Sequence, residues 1–307
     1  MRIVIALGGN ALLHRGQIPD ASIQHANVVD AVDALAPIAR DHDLVLTHGN
    51  GPQVGVLAIQ SASDPNLTTP YPFDVLGAQT QGMIGYWLLQ ALQNRVVDRQ
   101  VASIINQTLV SASDPALAKP TKFIGEVYDQ ETAERLADER GWTVRPDGPH
   151  WRRVVGSPEP LRVIETPLIR QLLDSGAIVV CAGGGGVPVI RNTSGKLEGI
   201  EAVVDKDATS ATLANALDAD TLLILTDVPN VFRHFGTPEE APIALTTPSE
   251  LRTVDLPAGS MGPKVAAACR FVEVTGGRAG IGRLEDSAKI LAGTAGTLVT
   301  PTGMWPT

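Results

Sequence analysis

The chain has 307 residues, 44% hydrophobic but only 4% aromatic, with a formal net charge of −9. That length fits one large α/β domain or two lobes sharing a sheet, around a core of Val, Ile, Leu and Ala. The acidic balance argues against nucleic acid as a partner and obliges any anionic substrate to find its positive field locally, in lysines and amide dipoles.

The cysteines, Cys181 and Cys269, have no CxxC or Cys/His spacing, so neither a zinc site nor a disulfide framework is indicated. Reduced, cytosolic thiols are the expectation. The opening Met1-Arg2-Ile3-Val4-Ile5-Ala6-Leu7-Gly8 is too short an apolar run for a signal peptide. No run approaches the ~18–20 apolar residues that cross a bilayer. A cytoplasmic protein with no membrane partner is expected.

In chain order, Val/Ile/Leu-rich strands alternate with amphipathic helical segments, which argues for a parallel sheet covered on both faces. Strand 2–7 ends in Gly8-Gly9-Asn10-Ala11, and helix 23–40 follows. Strand 44–47 ends in His48-Gly49-Asn50-Gly51-Pro52, with Pro52 suited to the first turn of the next helix. Stretch 74–94 is helical, its Gly77, Gly82 and Gly85 permitting close packing, and 101–110 is a single further strand. From about 111 to 161 the texture turns richer in Pro, Gly and charge, with one helix near 131–140, and reads as an insertion and candidate lid. Within it lies Lys119-Pro120-Thr121-Lys122-Phe123-Ile124-Gly125, whose lysines suit either a phosphate or plain solvent.

Helix 166–175 leads into strand 178–182, four consecutive glycines at 183–186, Val187-Pro188-Val189-Ile190, and then Val203-Val204-Asp205-Lys206-Asp207. Glycines at the carboxyl end of a strand allow a backbone to bend tightly and bring bare amides to an anion. Lys206 between two carboxylates then reads as a phosphate-facing cation beside a possible metal ligand. A flexible surface loop with a solvated Asp-Lys-Asp suits the same residues. Three glycine-rich strand ends in one chain are stronger than one, because together they make a shared rim of amide donors. His48 reads as a structural hydrogen-bonding residue.

Helix 208–219 and strand 221–225 follow, the strand ending in Thr226-Asp227-Val228-Pro229-Asn230-Val231-Phe232, which suits a purine border or a capped turn. A short helix covers 248–254. Gly259-Ser260-Met261-Gly262-Pro263-Lys264 opens a helix through 274, with Pro263 first and Ser260 or Gly262 as cap. Lys264 in a first turn opposes the helix dipole unless an anion sits there. Strands 278–282 and 296–300 complete the sheet.

Ala6-Leu7-Gly8-Gly9-Asn10-Ala11, His48-Gly49-Asn50-Gly51-Pro52-Gln53, Pro120-Thr121-Lys122, the glycines at 183–186, Glu201-Ala202-Val203-Val204-Asp205-Lys206-Asp207 and Gly259-Ser260-Met261-Gly262-Pro263-Lys264 occur in one order along nearly the whole chain. That ordered set resembles the carbamate kinases of the amino acid kinase superfamily. The resemblance implies a three-layer αβα sandwich, a single domain over 1–307 with an eight-stranded, mostly parallel sheet and a protruding lid at about 111–161. It implies a carbamate-side lobe over about 1–205 and a nucleotide-side lobe over about 206–307, in a homodimer. The implied reaction is reversible phosphoryl transfer between ATP and carbamate, giving ADP and carbamoyl phosphate, with Mg2+ as cofactor.

By the same resemblance Lys122, Lys206, Lys264 and Asn10 are catalytic, and Gly8, Gly9, Asn10, Gly49, Asn50, Gly51, Gly184 and Gly185 surround the small substrate. Gly183, Lys206, Thr226, Asp227, Met261 and Lys264 attend the nucleotide, and Asp207 is the best carboxylate near the metal. The chemistry agrees: a carbamate oxygen is already anionic, so positioning and electrostatics are needed and no general base is required. The sequence departs from the family pattern at Phe123 and Glu126, where prolines are usual, at Gly148-Pro149-His150-Trp151, and at Pro229, where Asp is frequent. Two other readings use the same motifs: a related kinase with another carboxylate or phosphate acceptor, and a non-catalytic ligand sensor. A dinucleotide oxidoreductase is disfavoured because the glycine run leads into Val187-Pro188-Val189 instead of a helix.

Overall fold

The computed structural model describes residues 1–14, 16–256 and 261–305; Gly259, Ser260 and the side chains of Asn10 and Glu126 lie outside that description. The first part of the chain runs β1 (Arg2–Leu7), α1 (Ala21–Asp41), β2 (Asp43–His48), α2 (Gly51–Ser63), α3 (Phe73–Arg95), β3 (Val101–Ser103) and β4 (Gln107–Leu109). Next come α4 (Pro115–Ala118), β5 (Lys122–Tyr128), α5 (Gln130–Arg140), β6 (Thr143–Asp147), β7 (His150–Val155), β8 (Arg162–Val163), α6 (Thr166–Asp174) and β9 (Ile178–Val180). The remainder is β10 (Val187–Arg191), β11 (Leu197–Gly199), α7 (Lys206–Ala216), β12 (Thr221–Thr226), β13 (Val231–Arg233), β14 (Ala241–Ile243), β15 (Leu245–Thr246), α8 (Pro248–Leu251), α9 (Gly262–Thr275), β16 (Arg278–Arg283), α10 (Ser287–Leu291) and β17 (Thr297–Val299).

An eight-stranded sheet in the order β15-β17-β16-β12-β1-β2-β9-β3 forms the middle layer. Its pairings are parallel apart from β16 with β17. Strand residues alternate between faces, so continuous apolar runs serve two cores at once. Ile3, Ile5, Leu7, Leu44 and Leu46 pack with Val28, Val32 and Leu35 of α1 and Ile84, Leu88 and Leu92 of α3. Val4, Ala6, Val45 and Val179 pack on the other face with α6, α7 and α9, around the fully buried Phe271. That is the three-layer α/β sandwich.

The single strand expected over 101–110 is two. β3 pairs with β9 in the main sheet, whereas β4 joins a separate four-stranded sheet, β11-β10-β4-β8. The break falls at Asn106, fully buried, whose own N–H donates to Gln81 Oε1 (3.0 Å) while its Oδ1 accepts the Ala182 N–H (2.6 Å). A stretch of strand-forming residues does not show where the chain leaves one sheet for another. Of the three α3 glycines, only Gly85 is tight: a Cβ there would collide with Ser103, whereas Gly77 and Gly82 face open space.

Between β4 and β8 the chain forms a three-stranded antiparallel sheet, β5-β7-β6, with Ala133 and Leu136 of α5 buried. It rejoins the body at Gly156, which bridges to Ala202.

Candidate active site

Strands β12, β1, β2 and β9 are neighbours and parallel, so their carboxyl ends emerge along one edge. Ligands bind at that edge in open α/β sheets. It collects Thr226-Asp227, Gly8-Gly9, Gly49-Asn50-Gly51 and the glycines at 183–186. The backbones approach closely: a Cβ on Gly49 would lie 2.9 Å from the Gly9 nitrogen, and one on Gly184 would strike the Asn50 side chain. Gly184 has φ +62°, a conformation glycine adopts readily and other residues do not.

The rim is less bare than the sequence suggested. Gly8 and Gly49 donate their N–H groups to the Leu225 and Leu7 carbonyls (2.9 and 3.0 Å), and Gly185 and Gly186 donate to Ala182 and Gly183 (3.0 Å each). These four amides close turns and extend strand pairing, so glycine serves close backbone approach there more than donation. His48 is buried with Nδ1 3.0 Å from the Gly49 carbonyl. A carbonyl only accepts, so Nδ1 carries the proton. Burial lowers the imidazole to about 4, with Lys206 nearby adding to the shift against that hydrogen bond, and His48 is neutral near pH 7.

Two helix starts meet above this edge. Asp205 caps α7: its Oδ1 accepts the N–H groups of Asp207 (3.0 Å) and Ala208 (3.1 Å), as expected of an Asp ahead of a helix. That cap fixes Lys206 and Asp207 in the first turn. Pro263 and Lys264 occupy the first turn of α9, whose N-cap is Met261, with no side-chain cap among the described residues. Lys264 Nζ donates to Asp207 Oδ2 at 3.0 Å, and Lys206 Nζ donates to Asp207 Oδ1. The anion that offsets Lys264 at the helix start is thus a carboxylate of the protein itself.

Asp207 is 2% exposed. Burial by itself raises its carboxyl, but the Lys206 and Lys264 charges outweigh that and hold it below the usual carboxylate range. Burial lowers the Lys206 ammonium, against the pull of Asp207 and with the push of Lys264. Lys122, at the start of β5, sits 3.2 Å from Asp205 Oδ2 and is half-exposed. With Arg152 and Asp227, which share the cleft, the lining carries four cationic side chains against three carboxylates, a local positive excess in an acidic protein.

These groups line a cleft of about 670 Å³. Lys122, Lys206, Lys264, Asp207, Gly8, Gly9, Gly49, Asn50, Gly51, Gly184, Thr226, Asp227 and Met261 all border it. Gly183 and Gly185 sit behind its wall, beside His48 and Val204 respectively. Asn10 falls in the turn Gly9–Ala11. Among the described residues no three His, Cys, Asp or Glu side chains converge as a metal cage. Sequence reading missed Arg152, which borders the cleft and donates through Nε to the Gly125 carbonyl (2.9 Å). Strand alternation was the available signal: Arg152 and Arg153 are adjacent and face opposite sides of β7. Phe235, also in the cleft, lies in a connection with no periodicity to reveal it.

The family model for the amino acid kinase family matches residues 1–281. The carbamate kinase of Rhizobium meliloti is 49% identical over 98% of this chain and 93% of its own. The chain belongs to the amino acid kinase family, among its carbamate kinases. The Haemophilus influenzae carbamate kinase is 48% identical over 98% of this chain and 97% of its own. Among solved structures, a Giardia lamblia carbamate kinase bound to AMP-PNP superposes with a TM-score of 0.91 at 37% identity, covering 98% of each chain.

Proposed function

We propose that this protein is a carbamate kinase, transferring a phosphoryl group reversibly between ATP and carbamate, with ADP and carbamoyl phosphate as the other pair. The observation that carries the reading is the Lys206–Asp207–Lys264 cluster, set in the same cleft as the glycine turns of β1 and β2 and as Lys122. Both reactants are anionic, so the barrier lies in bringing like charges into line and in spreading charge over the transferring group. Lysines held in place before substrate arrives meet that need without rearranging during the reaction. In this reading Lys206 and Lys264 face the transferring phosphoryl and Lys122 closes on it. Asn10, Gly8, Gly9, Gly49, Asn50, Gly51, Gly184 and Gly185 shape the carbamate side. Thr226, Asp227, Met261 and Gly183 belong to the nucleotide side.

Asp207 holds both lysine side chains in place through its two carboxylate oxygens. Its oxygens already accept from two ammonium groups, so the donor set fits Mg2+ only as an ion carried on the polyphosphate with its own waters. Asp207 and Asp227 are the carboxylates that such an ion would meet, and its contribution is to neutralise phosphate charge.

The 111–161 segment is the lid in this proposal, with residues 1–205 forming the carbamate-side lobe and 206–307 the nucleotide-side lobe. A homodimer belongs to the same proposal; Val75 and Tyr86 are exposed on one stripe of α3, and light scattering would measure the assembly. No described helix is long and apolar enough to cross a membrane, and the free, buried Cys181 and Cys269 fit a reducing cytoplasm.

The test mixes purified protein with carbamoyl phosphate and MgADP and follows ATP by luminescence. ATP formation in step with carbamoyl phosphate loss is expected. Formation of ATP only from another acyl or inorganic phosphate donor would reassign the acceptor, and none from any donor would overturn the reading.

A further inference from the structure

Lys122 is the most exposed of the cleft lysines, with a side chain 43% accessible against 12% for Lys206 and 15% for Lys264. A flexible side chain on a projecting sheet reaches a fixed point only if its strand is anchored. In the β5–β7 pairing Lys122 stands opposite Val155, and Ile124 stands opposite Arg153. Arg153 is where the lid meets the body. Its guanidinium carbon lies 4.7 Å from the ring centroid of Phe73, at the start of α3, and 4.5 Å from that of Trp142 in the lid. Its Nη2 donates to Glu201 Oε1 at 2.7 Å, and Glu201 Oε2 accepts the Phe73 N–H at 2.8 Å.

Glu201 opens the strip that leads to the cleft. Ala202 bridges Gly156, the Val203 N–H donates to the Gly156 carbonyl at 3.0 Å, and Asp205 then accepts from Lys122. A cavity of about 900 Å³ lies between α5 and residues 58–73, so Arg153, which borders it, bridges a region otherwise loosely filled. The arrangement is costly if packing is its only purpose. Burial depresses the guanidinium despite Glu201, and Arg153 Nε is buried with no hydrogen-bond partner among the described residues. A methionine would fill the space between the rings without that desolvation. What it lacks is direction: a guanidinium fork fixes an angle that an apolar side chain does not.

We propose that Arg153 and Glu201 are positioning residues for phosphoryl transfer, anchoring the root of β5 so that Lys122 is delivered to the transferring group. The inference rests on the kinase reading above and deepens it. Neither residue touches substrate; both act through Lys122.

The test is a double-mutant cycle in the ATP-forming assay, with Arg153→Met and Glu201→Gln each made in the wild-type and Lys122→Ala backgrounds. In the wild-type background each should lower kcat about tenfold or more, since a displacement near 1 Å is costly in such reactions, with KM for MgADP nearly unchanged. In the Lys122→Ala background the same changes should have less than about a twofold effect, because coupled residues are non-additive. Arg153→Lys should not restore kcat, as it lacks the fork. Equal losses in both backgrounds would mark a merely structural role and overturn the proposal. If Arg153→Met does not fold, Glu201→Gln decides. A second readout is independent of turnover: the rate of Lys122 acylation by an amine-reactive reagent, with Lys196 as internal control. Glu201→Gln should raise the Lys122 rate severalfold, and an unchanged rate overturns the proposal. A wild-type protein inactive with carbamoyl phosphate would refute the kinase reading, while the acylation comparison would still decide whether Arg153 and Glu201 anchor Lys122.

Discussion

Lys264 places its Nζ 3.0 Å from Asp207 Oδ2, tying the first turn of α9 to that of α7 through one buried carboxylate. Lys206 takes the other oxygen. Removing the carboxylate charge leaves two ammonium groups facing each other without an anion. Asp207→Asn should therefore destabilise the ligand-free protein by about 3 kcal/mol, in the range for breaking a buried pair, and should lower kcat. Urea unfolding with and without MgADP measures both parts, and nucleotide should restore more stability to the variant than to wild type. An unchanged midpoint would mean that the cluster is solvated.

Lys206→Ala should reduce turnover more than about tenfold, the scale of an electrostatic stabiliser of the transferring group, while the protein stays folded because Lys264 still neutralises Asp207. Near-normal ATP formation would remove Lys206 from the chemistry. Lys122→Ala should slow the same assay yet shift stability by under ~1 kcal/mol, since its pair with Asp205 is half-exposed.

Stability should decline as pH falls from 7 toward 4 because of His48. The unfolded imidazole takes up a proton near its ordinary 6.5, whereas burial holds the folded one to about 4. Between those values the unfolded chain binds more protons, so its stabilisation relative to the native state grows as pH drops. The full difference amounts to ~3 kcal/mol. Denaturant midpoints at pH 7 and 4.5 should diverge less in His48→Gln than in wild type; equal divergence would assign the loss to carboxylates alone.

Gly184→Ala should be poorly tolerated, because its Cβ would collide with Asn50 and its φ of +62° disfavours a side chain. A loss above ~1 kcal/mol is expected, with weakened substrate affinity. Gly82→Ala is the control, since a Cβ there meets nothing within 4 Å and Gly82 does not border the cleft.

Cys181 and Cys269 should resist thiol reagents in the native protein. Both are buried, and burial pushes the Cys181 thiol up to about 12 and Cys269 up to about 11, leaving almost no thiolate to react. A chromogenic disulfide should titrate both only after denaturation; rapid native labelling would contradict that.

The parallel sheet was legible because buried strands read as unbroken apolar runs, and the convergence of β1, β2, β9 and β12 at one edge follows once they are parallel. Lys264 was expected in the first turn of a helix and stands in that of α9, whereas Lys206 was read from its Asp-Lys-Asp run and opens α7, two residues before the helix was expected to start. The partner that joins them was not legible: Asp207 was expected near a metal, and nothing local reveals that both its oxygens face ammonium groups. Asn106 and Arg153 escaped for the same reason, since a buried polar residue is interpretable only through what surrounds it in space. Of the two caps expected for α9, Ser260 falls outside the described residues, and Gly262 is the first residue of the helix, after the N-cap Met261.

β1 sits between β2 and β12, pairing Ile3 with Leu44 on one side and with Thr221 on the other. A ribosome that has released only the first two hundred residues therefore presents a nascent chain whose central strand has one open edge, a natural template for the wrong neighbour. The last third of the polypeptide must arrive before that edge closes, and it brings Lys206 and Lys264 with it. Synthesis thus completes the lysine-lined cleft and shields the sheet at the same late stage, so slow translation of the downstream message should favour aggregation.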